Sequence, residues 1–257
     1  MLLAIDAGNT NITLGLFREQ ELIAQWRLLT DRERSAEDYG SDVRRLFERS
    51  QIDHKDVHGI AIASVVPQLD QALRQVCEIC FELTPLFLNH TTDTGLRIVY
   101  DSPANVGADR IADAVAAAAK YGTPCIAVDC GTATTFNVVN AANEYIGGAI
   151  APGIMIAAEA LFARAAKLPR VEIKPPPSVI GSSTIEAMQS GLYYGYAGLV
   201  DRVLERMIAE LQTKPRVIAT GGLAHLLAGS SKFIEVIDET LTLDGLRLVY
   251  ERNKYLA

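Results

Sequence analysis

Cysteine is scarce in this chain, with 4 residues among 257. The two closest, Cys77 and Cys80, lie in a segment whose apolar residues have helical spacing, and no matching Cys/His pair stands elsewhere in the sequence. These features exclude a disulfide framework and a zinc site with the usual four ligands. We expect the thiols to be buried or half-buried.

The chain also lacks an excess of positive charge and any long uninterrupted apolar run. Its 24 Lys and Arg residues against 31 Asp and Glu residues give a net charge of −7, which opposes binding to nucleic acid or to a membrane surface. The first apolar stretch is interrupted by Asp6, and no other stretch is long enough to cross a membrane. With 49% hydrophobic residues, the sequence predicts a globular cytoplasmic protein with a small-molecule partner.

The sequence opens with an apolar run that is broken by a tight polar turn. Residues 1–17 read MLLAIDAGNTNITLGLF, in which Asp6, Gly8, Asn9 and Thr10 separate two apolar segments. A β-hairpin is the simplest interpretation, because Gly and Asn are common turn residues and the flanks alternate as strands do. Taken alone, the turn does not indicate a ligand.

The first part of the chain has the short connections of an α/β layer design. We predict strands at 2–7, 11–17, 21–28, 58–66 and 85–88, helices at 36–50 and 68–82, a loop over 90–106, and an alanine-rich helix from Gly107 that ends at Gly122.

The second part repeats the opening pattern. Asp6-x-Gly8 recurs as Asp129-x-Gly131, 123 residues later (129 − 6 = 123), again between apolar strands. A duplication of about half the chain predicts two similar subdomains that face each other. The other predicted elements are strands within 123–139, at 144–153 and at 216–220, helices at 153–166 and 183–212, and a closing helix. Core packing and a dimer contact both explain the apolar face of the 183–212 helix.

The two acid-bearing turns and a third glycine turn are suited to holding a nucleotide triphosphate without a Walker-type lysine. Backbone N–H groups in a glycine turn approach phosphate oxygens because no Cβ intervenes, and hydroxyl and amide groups add donors. A carboxylate repels bare phosphate, so an acid at such a turn requires a cation between them. With residues 219–222 (ATGG) after a further strand, these turns resemble motifs of the actin, sugar-kinase and heat-shock-chaperone ATPase superfamily.

The segment YDSPANVGADR at 100–110 offers a second ligand site. Gly107 and Ala108 let the backbone pass close to a ligand, and Asp109 and Arg110 follow at the start of a helix, whose positive end favours anions. In isolation, the same residues would describe a helix N-terminus with a solvated arginine.

Six segments in this order resemble the type III pantothenate kinases: DAGNTN at 6–11, YDSPANVGADR at 100–110, VDCGTATT at 128–135, GGAIAPG at 147–153, AMQSG at 187–191 and TGG at 220–222. The resemblance covers nearly the whole chain. It implies an α/β fold of two duplicated actin-like (ribonuclease H-like) subdomains, each a mixed sheet with flanking helices. The expected subdomains are residues 1–106 and residues 107–257, the second with a dimerisation helix, because the family is dimeric.

The resemblance also implies the reaction and its site residues. The family transfers the γ-phosphoryl group of ATP to pantothenate, the first step of coenzyme A biosynthesis, with Mg²⁺ and a monovalent cation, K⁺ or NH4⁺. Asp109 matches the proton acceptor, and Asp129 matches the acid that holds the monovalent cation. The positions that match the ATP site are Asp6, Ala7, Gly8, Asn9, Thr10, Asn11, Ile12, Thr13 and Thr132. Those that match the pantothenate site are Tyr100, Gly107, Ala108, Asp109, Arg110 and Thr184.

One segment departs from the family pattern. Before Thr184 the family often has a basic residue and an asparagine, whereas this chain has Ser182 and Ser183. Two other functions keep the same fold: a kinase of a sugar or a small carboxylic acid, and a non-catalytic regulatory relative. The acids Asp6, Asp109 and Asp129, together with Arg110, argue against a site that has lost turnover.

Overall fold

A computed structural model describes residues 1–254 of the chain. Its strands are β1 (Leu2–Ala7), β2 (Asn11–Arg18), β3 (Glu21–Leu29), β4 (Gly59–Ser64), β5 (Leu86–Phe87), β6 (Arg97–Ile98), β7 (Cys125–Cys130), β8 (Ala133–Val139), β9 (Glu144–Pro152), β10 (Arg216–Thr220) and β11 (Val236–Ile237). Its α-helices are α1 (Ala36–Arg49), α2 (Asp70–Phe81), α3 (Ala108–Tyr121), α4 (Ile154–Arg164), α5 (Thr184–Leu211), α6 (Ala224–Ala228) and α7 (Leu241–Asn253). Three short 3-10 helices lie at 54–56, 67–69 and 103–105.

The chain divides into two compact units, and each contains one copy of the same sheet. Unit 1 comprises Met1–Ala116 and the C-terminal residues from Leu241, and unit 2 comprises Ala117–Thr240. In unit 1 the strand order is β3-β2-β1-β4-β5, with β1–β2 and β2–β3 antiparallel and β1–β4 and β4–β5 parallel. In unit 2 the order β9-β8-β7-β10-β11 repeats these directions pair by pair. The predicted fold of two duplicated actin-like (ribonuclease H-like) subdomains is confirmed.

The duplication is also visible in residue numbers. The first and last residues of β7 each lie 123 positions after those of β1 (125 − 2 and 130 − 7). The turns that follow differ in length, since Asp6 lies opposite Thr13 in unit 1 whereas Asp129 lies opposite Thr135 in unit 2. The second turn is therefore one residue shorter than the first.

Each unit has its own apolar core. In unit 1 the buried side chains of β1, β2 and β4 pack with those of α1 and α2, among them Tyr39 and Phe47. In unit 2 the inward side chains of β7, β8 and β10 pack with α4, α5 and α6, among them Phe136 and Val200. All four cysteines are buried free thiols, as the sequence predicts, and burial raises the pKa of Cys77 to about 12.

The compact units differ from the expected division at residues 106 and 107. The boundary falls within α3, and α7 belongs to unit 1. The contacts of α3 give the reason: Asp113, in the part of the helix that belongs to unit 1, accepts a hydrogen bond from Thr242 at 2.7 Å. In its last turn, which belongs to unit 2, Lys120 and Tyr121 bind Asp238 at 2.5 and 2.7 Å. The C-terminal helix is thus a late segment that completes the first unit.

We expect Gly245→Ala to destabilise the protein by about 2–3 kcal/mol, because overpacking a tight contact forces backbone shifts. A Cβ at position 245 of α7 would overlap the backbone of Ala112 and lie 2.5 Å from its carbonyl carbon. Denaturant unfolding measures the loss. Gly198→Ala is the matched control, since a Cβ there meets no atom within 4 Å and alanine favours a helix. Equal midpoints for the two variants would contradict the packing of α7 against α3.

Candidate active site

The first acid-bearing turn joins β1 to β2 in unit 1. Asp6 is partly exposed near the end of an otherwise buried apolar strand. The Gly8 N–H donates to the Asn11 carbonyl at 3.0 Å, which closes the turn. A Cβ at Gly8 would lie 3.2 Å from that carbonyl oxygen, so a small residue is favoured there. The turn presents an acid, backbone N–H groups and the polar side chains of Asn9 and Thr10 in one short segment.

Two residues that the sequence reasoning missed support this turn. The Thr30 hydroxyl donates to the Gly8 carbonyl at 2.6 Å, and the Thr30 N–H donates to the Thr10 carbonyl at 3.0 Å. Arg32 donates to the Asn9 side-chain oxygen at 3.0 Å and brings a positive charge to the turn. The hairpin register indicates these contacts, because the residues just after β3 return to the β1–β2 end of the sheet.

Residues 107–110, which we call the GADR corner, lie at the start of α3. The Ile111 N–H donates to the Gly107 carbonyl at 3.1 Å as the helix begins. Asp109 is half-buried, Arg110 is only 7% exposed, and the Arg110 N–H donates to Asp109 Oδ1 at 2.7 Å. Burial raises the pKa of Asp109, and the hydrogen bond and positive charge of Arg110 lower it to a smaller extent. The result is a carboxylate that is a stronger base than an exposed aspartate.

Val65 connects this corner to the first turn within unit 1. The Val65 N–H donates to the Ala7 carbonyl at 3.1 Å, next to Asp6. A Cβ at Gly107 would overlap Asp109 Oδ1 and lie 3.4 Å from Val65 Cγ1. The Asp6 turn and the GADR corner therefore meet at the carboxyl ends of the parallel strands β1 and β4. In open α/β sheets this is the end at which ligands bind.

Tyr100 lies in the exposed loop that leads to this corner, and 39% of the residue is accessible. It lines a surface cavity of about 330 Å³ together with its neighbours at 97–101. A partly exposed tyrosine presents an aromatic ring and a polar hydroxyl group at this surface.

The second acid-bearing turn, in unit 2, is enclosed by glycines. Asp129 is partly exposed near the end of β7, and the Gly131 N–H donates to the Ala133 carbonyl at 3.1 Å. Gly221 follows β10 with φ at +87°, and a Cβ there would overlap Asp129 Oδ1. Gly153, at the start of α4, donates its N–H to the Thr132 carbonyl at 3.1 Å. The absence of Cβ atoms at Gly221 and Gly153 lets these segments pack closely against the Asp129 carboxylate and the Thr132 carbonyl.

Thr184 is the first residue of α5. Its two preceding serines, which depart from the family pattern, form a helix cap: Ser183 accepts from the Glu186 N–H at 3.2 Å, and Ser182 donates from its N–H and its hydroxyl to Glu186, each at 2.8 Å. These bonds from Ser182 lower the pKa of Glu186. The capping box fixes the start of α5 and leaves Thr184 exposed.

Two carboxylates could hold a cation at these turns. Within residues 1–254 no cluster of three or more His, Cys, Asp or Glu side chains could bind a metal ion by itself. Mg²⁺ bound with nucleotide phosphates requires only one or two protein carboxylates, which Asp6 fits. Asp129 could supply oxygen ligands to a cation beside Gly131, where an added Cβ would lie 3.6 Å from both Asp129 carboxylate oxygens and from the Ala133 carbonyl oxygen.

Known proteins of one family match most of this chain in sequence. The family model of type III pantothenate kinase matches residues 2–206. A type III pantothenate kinase of Koribacter versatilis (strain Ellin345) is 52% identical over 99% of this chain and 96% of its own length. That of Halalkalibacterium halodurans is 50% identical over 98% of this chain and 100% of its own length.

Two solved structures share the fold at low sequence identity. The activator of the 2-hydroxyisocaproyl-CoA dehydratase from Clostridium difficile, with bound ADPNP, has a TM-score of 0.58 at 8% identity and covers 100% of this chain and 97% of its own. MreB 5 of Spiroplasma citri, bound to AMPPNP, has a TM-score of 0.56 at 11% identity over 99% of this chain and 97% of its own. Among residues 1–254, no helix combines the length and the apolar content that a membrane crossing requires. Because the family model matches most of the chain and two named members are at least 50% identical to it, the chain belongs to the type III pantothenate kinase family.

Proposed function

We propose that this protein transfers the γ-phosphoryl group of ATP to the primary hydroxyl of pantothenate, which gives 4'-phosphopantothenate and ADP. The observation that carries the proposal is the meeting of the Asp6 turn and the GADR corner at one end of the unit 1 sheet. Membership of the type III pantothenate kinase family supplies the substrate and the pathway, coenzyme A biosynthesis.

Residues of two glycine turns bind ATP in this proposal. Backbone N–H groups and the Asn9 and Thr10 side chains of the first turn bind phosphate oxygens, and Thr132 supplies the corresponding contact from the second turn. The Asp6 carboxylate would hold Mg²⁺, whose positive charge would offset the repulsion between that carboxylate and the phosphates. The ATP-binding residues are Asp6, Ala7, Gly8, Asn9, Thr10, Asn11, Ile12, Thr13 and Thr132.

Pantothenate binds at the GADR corner. The guanidinium of Arg110 binds the pantothenate carboxylate, because its planar fork matches that group. Gly107 and Ala108 allow the substrate close to the backbone, and Tyr100 and Thr184 provide further contacts.

Asp109 accepts the proton of the attacking hydroxyl. As the new bond from the hydroxyl oxygen to the γ-phosphorus forms, the bond from that phosphorus to the β,γ-bridging oxygen breaks and ADP leaves. The transition state is loose, so the proton departs late, and orientation of the hydroxyl is the main contribution of the carboxylate. The raised pKa of Asp109 adds basicity to that role.

Asp129 holds a monovalent cation, K⁺ or NH4⁺. We expect replacement of potassium by sodium in an assay with Mg²⁺ to lower the rate by about tenfold, because the smaller ion fits the same oxygen ligands poorly. ADP release at equal ionic strength measures the effect, and Asp129→Asn should abolish the difference between the two ions. An unchanged rate in sodium would remove this role from Asp129.

The protein forms a homodimer through unit 2. Large apolar side chains are exposed on β9, α4, the following loop and α5, which is unusual for a monomer and supports a contact between copies. They are Ile150, Met155, Ile156, Val179, Ile180 and Ile185. Sedimentation or light scattering should give twice the chain mass of 27.8 kDa, and Ile180→Glu, at a residue that is 88% exposed, should shift the mass toward the monomer.

A coupled ADP-release assay tests the proposed function. With Mg²⁺ and K⁺ present, we expect ADP release with pantothenate and none above background with hexoses or acetate. Release with a hexose or acetate alone would indicate a kinase with another acceptor. No release with any acceptor, although ATP binds, would indicate a regulatory protein.

A further inference from the structure

The hydroxyl of Tyr196 joins two strands of unit 2. Tyr196 lies on α5 and is 7% exposed. Its hydroxyl donates to the Pro152 carbonyl at the end of β9, and its oxygen lies 2.7 Å from the Thr134 hydroxyl on β8. A tyrosine has one hydroxyl hydrogen, and a carbonyl only accepts, so Thr134 must donate to Tyr196. The contact is a directed chain from Thr134 through Tyr196 to Pro152.

Both partners of Tyr196 flank the second glycine turn. Thr134 lies on β8, two residues after Thr132 of the turn. Pro152 on β9 pairs with Ala133, the first residue of β8. The residue after Pro152 is Gly153, whose N–H donates to the Thr132 carbonyl at 3.1 Å. Tyr196 is therefore bonded to the strand that leaves the turn and to the segment that closes on it.

The surroundings keep this hydroxyl in place and protonated. The ring packs in the apolar cluster of unit 2, with Val128, Phe136 and Ile154 among its members. Burial raises the pKa of Tyr196 above its ordinary value, with the Thr134 hydrogen bond acting in the opposite direction. The hydroxyl consequently remains a donor to Pro152 through the neutral and mildly alkaline range.

We infer that Tyr196 is a positioning residue for ATP, which acts by fixing the Gly131–Thr132 turn in the geometry that binds phosphate. This inference rests on the proposed function, in which Thr132 contacts the nucleotide. Tyr196 does not itself touch ATP, and it has no part in the GADR corner. Loss of the Tyr196 hydroxyl therefore weakens ATP binding and leaves pantothenate binding unchanged.

Tyr196→Phe tests the inference, because it removes the hydroxyl and keeps the ring. We expect the KM for ATP to rise by about fivefold, as for the loss of one well-placed hydrogen bond, with the KM for pantothenate unchanged. Calorimetric titration with a non-hydrolysable ATP analogue and Mg²⁺, without pantothenate, should show the same weakening. Thr134→Val should act in the same direction, and the double variant should show less than the sum of the two effects.

Tyr193→Phe is the matched control. Tyr193 lies on the same helix, is similarly buried, and loses a hydrogen bond from Ser230 at 2.5 Å that does not involve the turn. It should leave both KM values unchanged. If Tyr196→Phe and Tyr193→Phe have equal effects, or if Tyr196→Phe lowers only the unfolding midpoint, the positioning role is refuted. A wild-type protein that binds the ATP analogue but releases no ADP with pantothenate would instead refute the proposed function.

Discussion

Asp109→Asn is expected to lower kcat for pantothenate-dependent ADP release by about 10²- to 10⁴-fold, the usual contribution of a general base. Asparagine keeps the shape of the side chain and an oxygen that can accept the Arg110 N–H, now 2.7 Å from Asp109 Oδ1. It cannot accept the proton of the substrate hydroxyl. Steady-state kinetics should show the loss in kcat with little change in the KM for ATP, because Asp109 does not contact the nucleotide in the proposed site.

Stability measurements separate this loss from misfolding. Burial raises the pKa of Asp109, so the ionised carboxylate is less stable in the folded state than in the unfolded state. This cost is fully present above the raised pKa and disappears as the pH falls below the ordinary aspartate value. Asp109→Asn removes it, so the variant should be at least as stable as the wild type at neutral pH, with the difference shrinking on acidification.

The control is Glu78→Gln, which removes one carboxylate from the exposed side of α2 in the same unit and should change neither activity nor stability. Near-wild-type kcat for Asp109→Asn would remove the proton acceptor from the mechanism. An inactive variant with a lowered unfolding midpoint at neutral pH would show a structural role instead.

The sequence predicted the central strands of both sheets well, but it did not predict the two-residue strands β6 and β11. Strand β1 is a run of apolar residues that ends in Asp6 and a glycine turn, and β7 repeats it at Asp129, so one pattern predicted both halves. Strand β10 was predicted with the bounds it has, Arg216–Thr220. These elements follow from apolar patterning and turn chemistry within a few residues, which the sequence contains directly.

The contacts between distant segments could not be predicted in the same way. The sequence indicated a closing helix but not that α7 packs on Ala112 of α3, since this depends on where the chain returns. Nor did it indicate that Val65 connects the Asp6 turn to Gly107. An exposed aspartate has a pKa of about 4, whereas burial raises the pKa of Asp109. Such effects arise only once the strand ends are assembled.

Ser182 and Ser183, which depart from the family pattern, form a helix cap. These two serines stand where the family often has a basic residue and an asparagine, and residues 183–186 have the S-x-x-E pattern of a helix N-terminus. The structure has the two serines bonded to Glu186 at the start of α5. Local capping chemistry therefore accounts for these residues without any ligand.

Gly221→Ala should reduce kcat/KM by about 100-fold, because a displacement of about 1 Å at a reacting site can have this effect. Gly221 has φ at +87°, where an alanine is strained, and its Cβ would overlap Asp129 Oδ1 and lie 2.8 Å from the Cys130 backbone. The Asp129 carboxylate would have to move away from the position in which it holds the proposed cation. The potassium concentration that gives half-maximal activity should therefore rise along with the loss of rate.

Gly229→Ala is the matched control in the same unit. Its backbone is helical at φ of −63°, and the nearest atom to an added Cβ, the His225 carbonyl oxygen, is 4.0 Å away. It should keep wild-type kinetics and potassium response. Titration of both variants with potassium at constant ionic strength distinguishes the outcomes: a slow Gly221→Ala enzyme with an unchanged potassium response would mean that Asp129 has a role in the rate other than holding that ion.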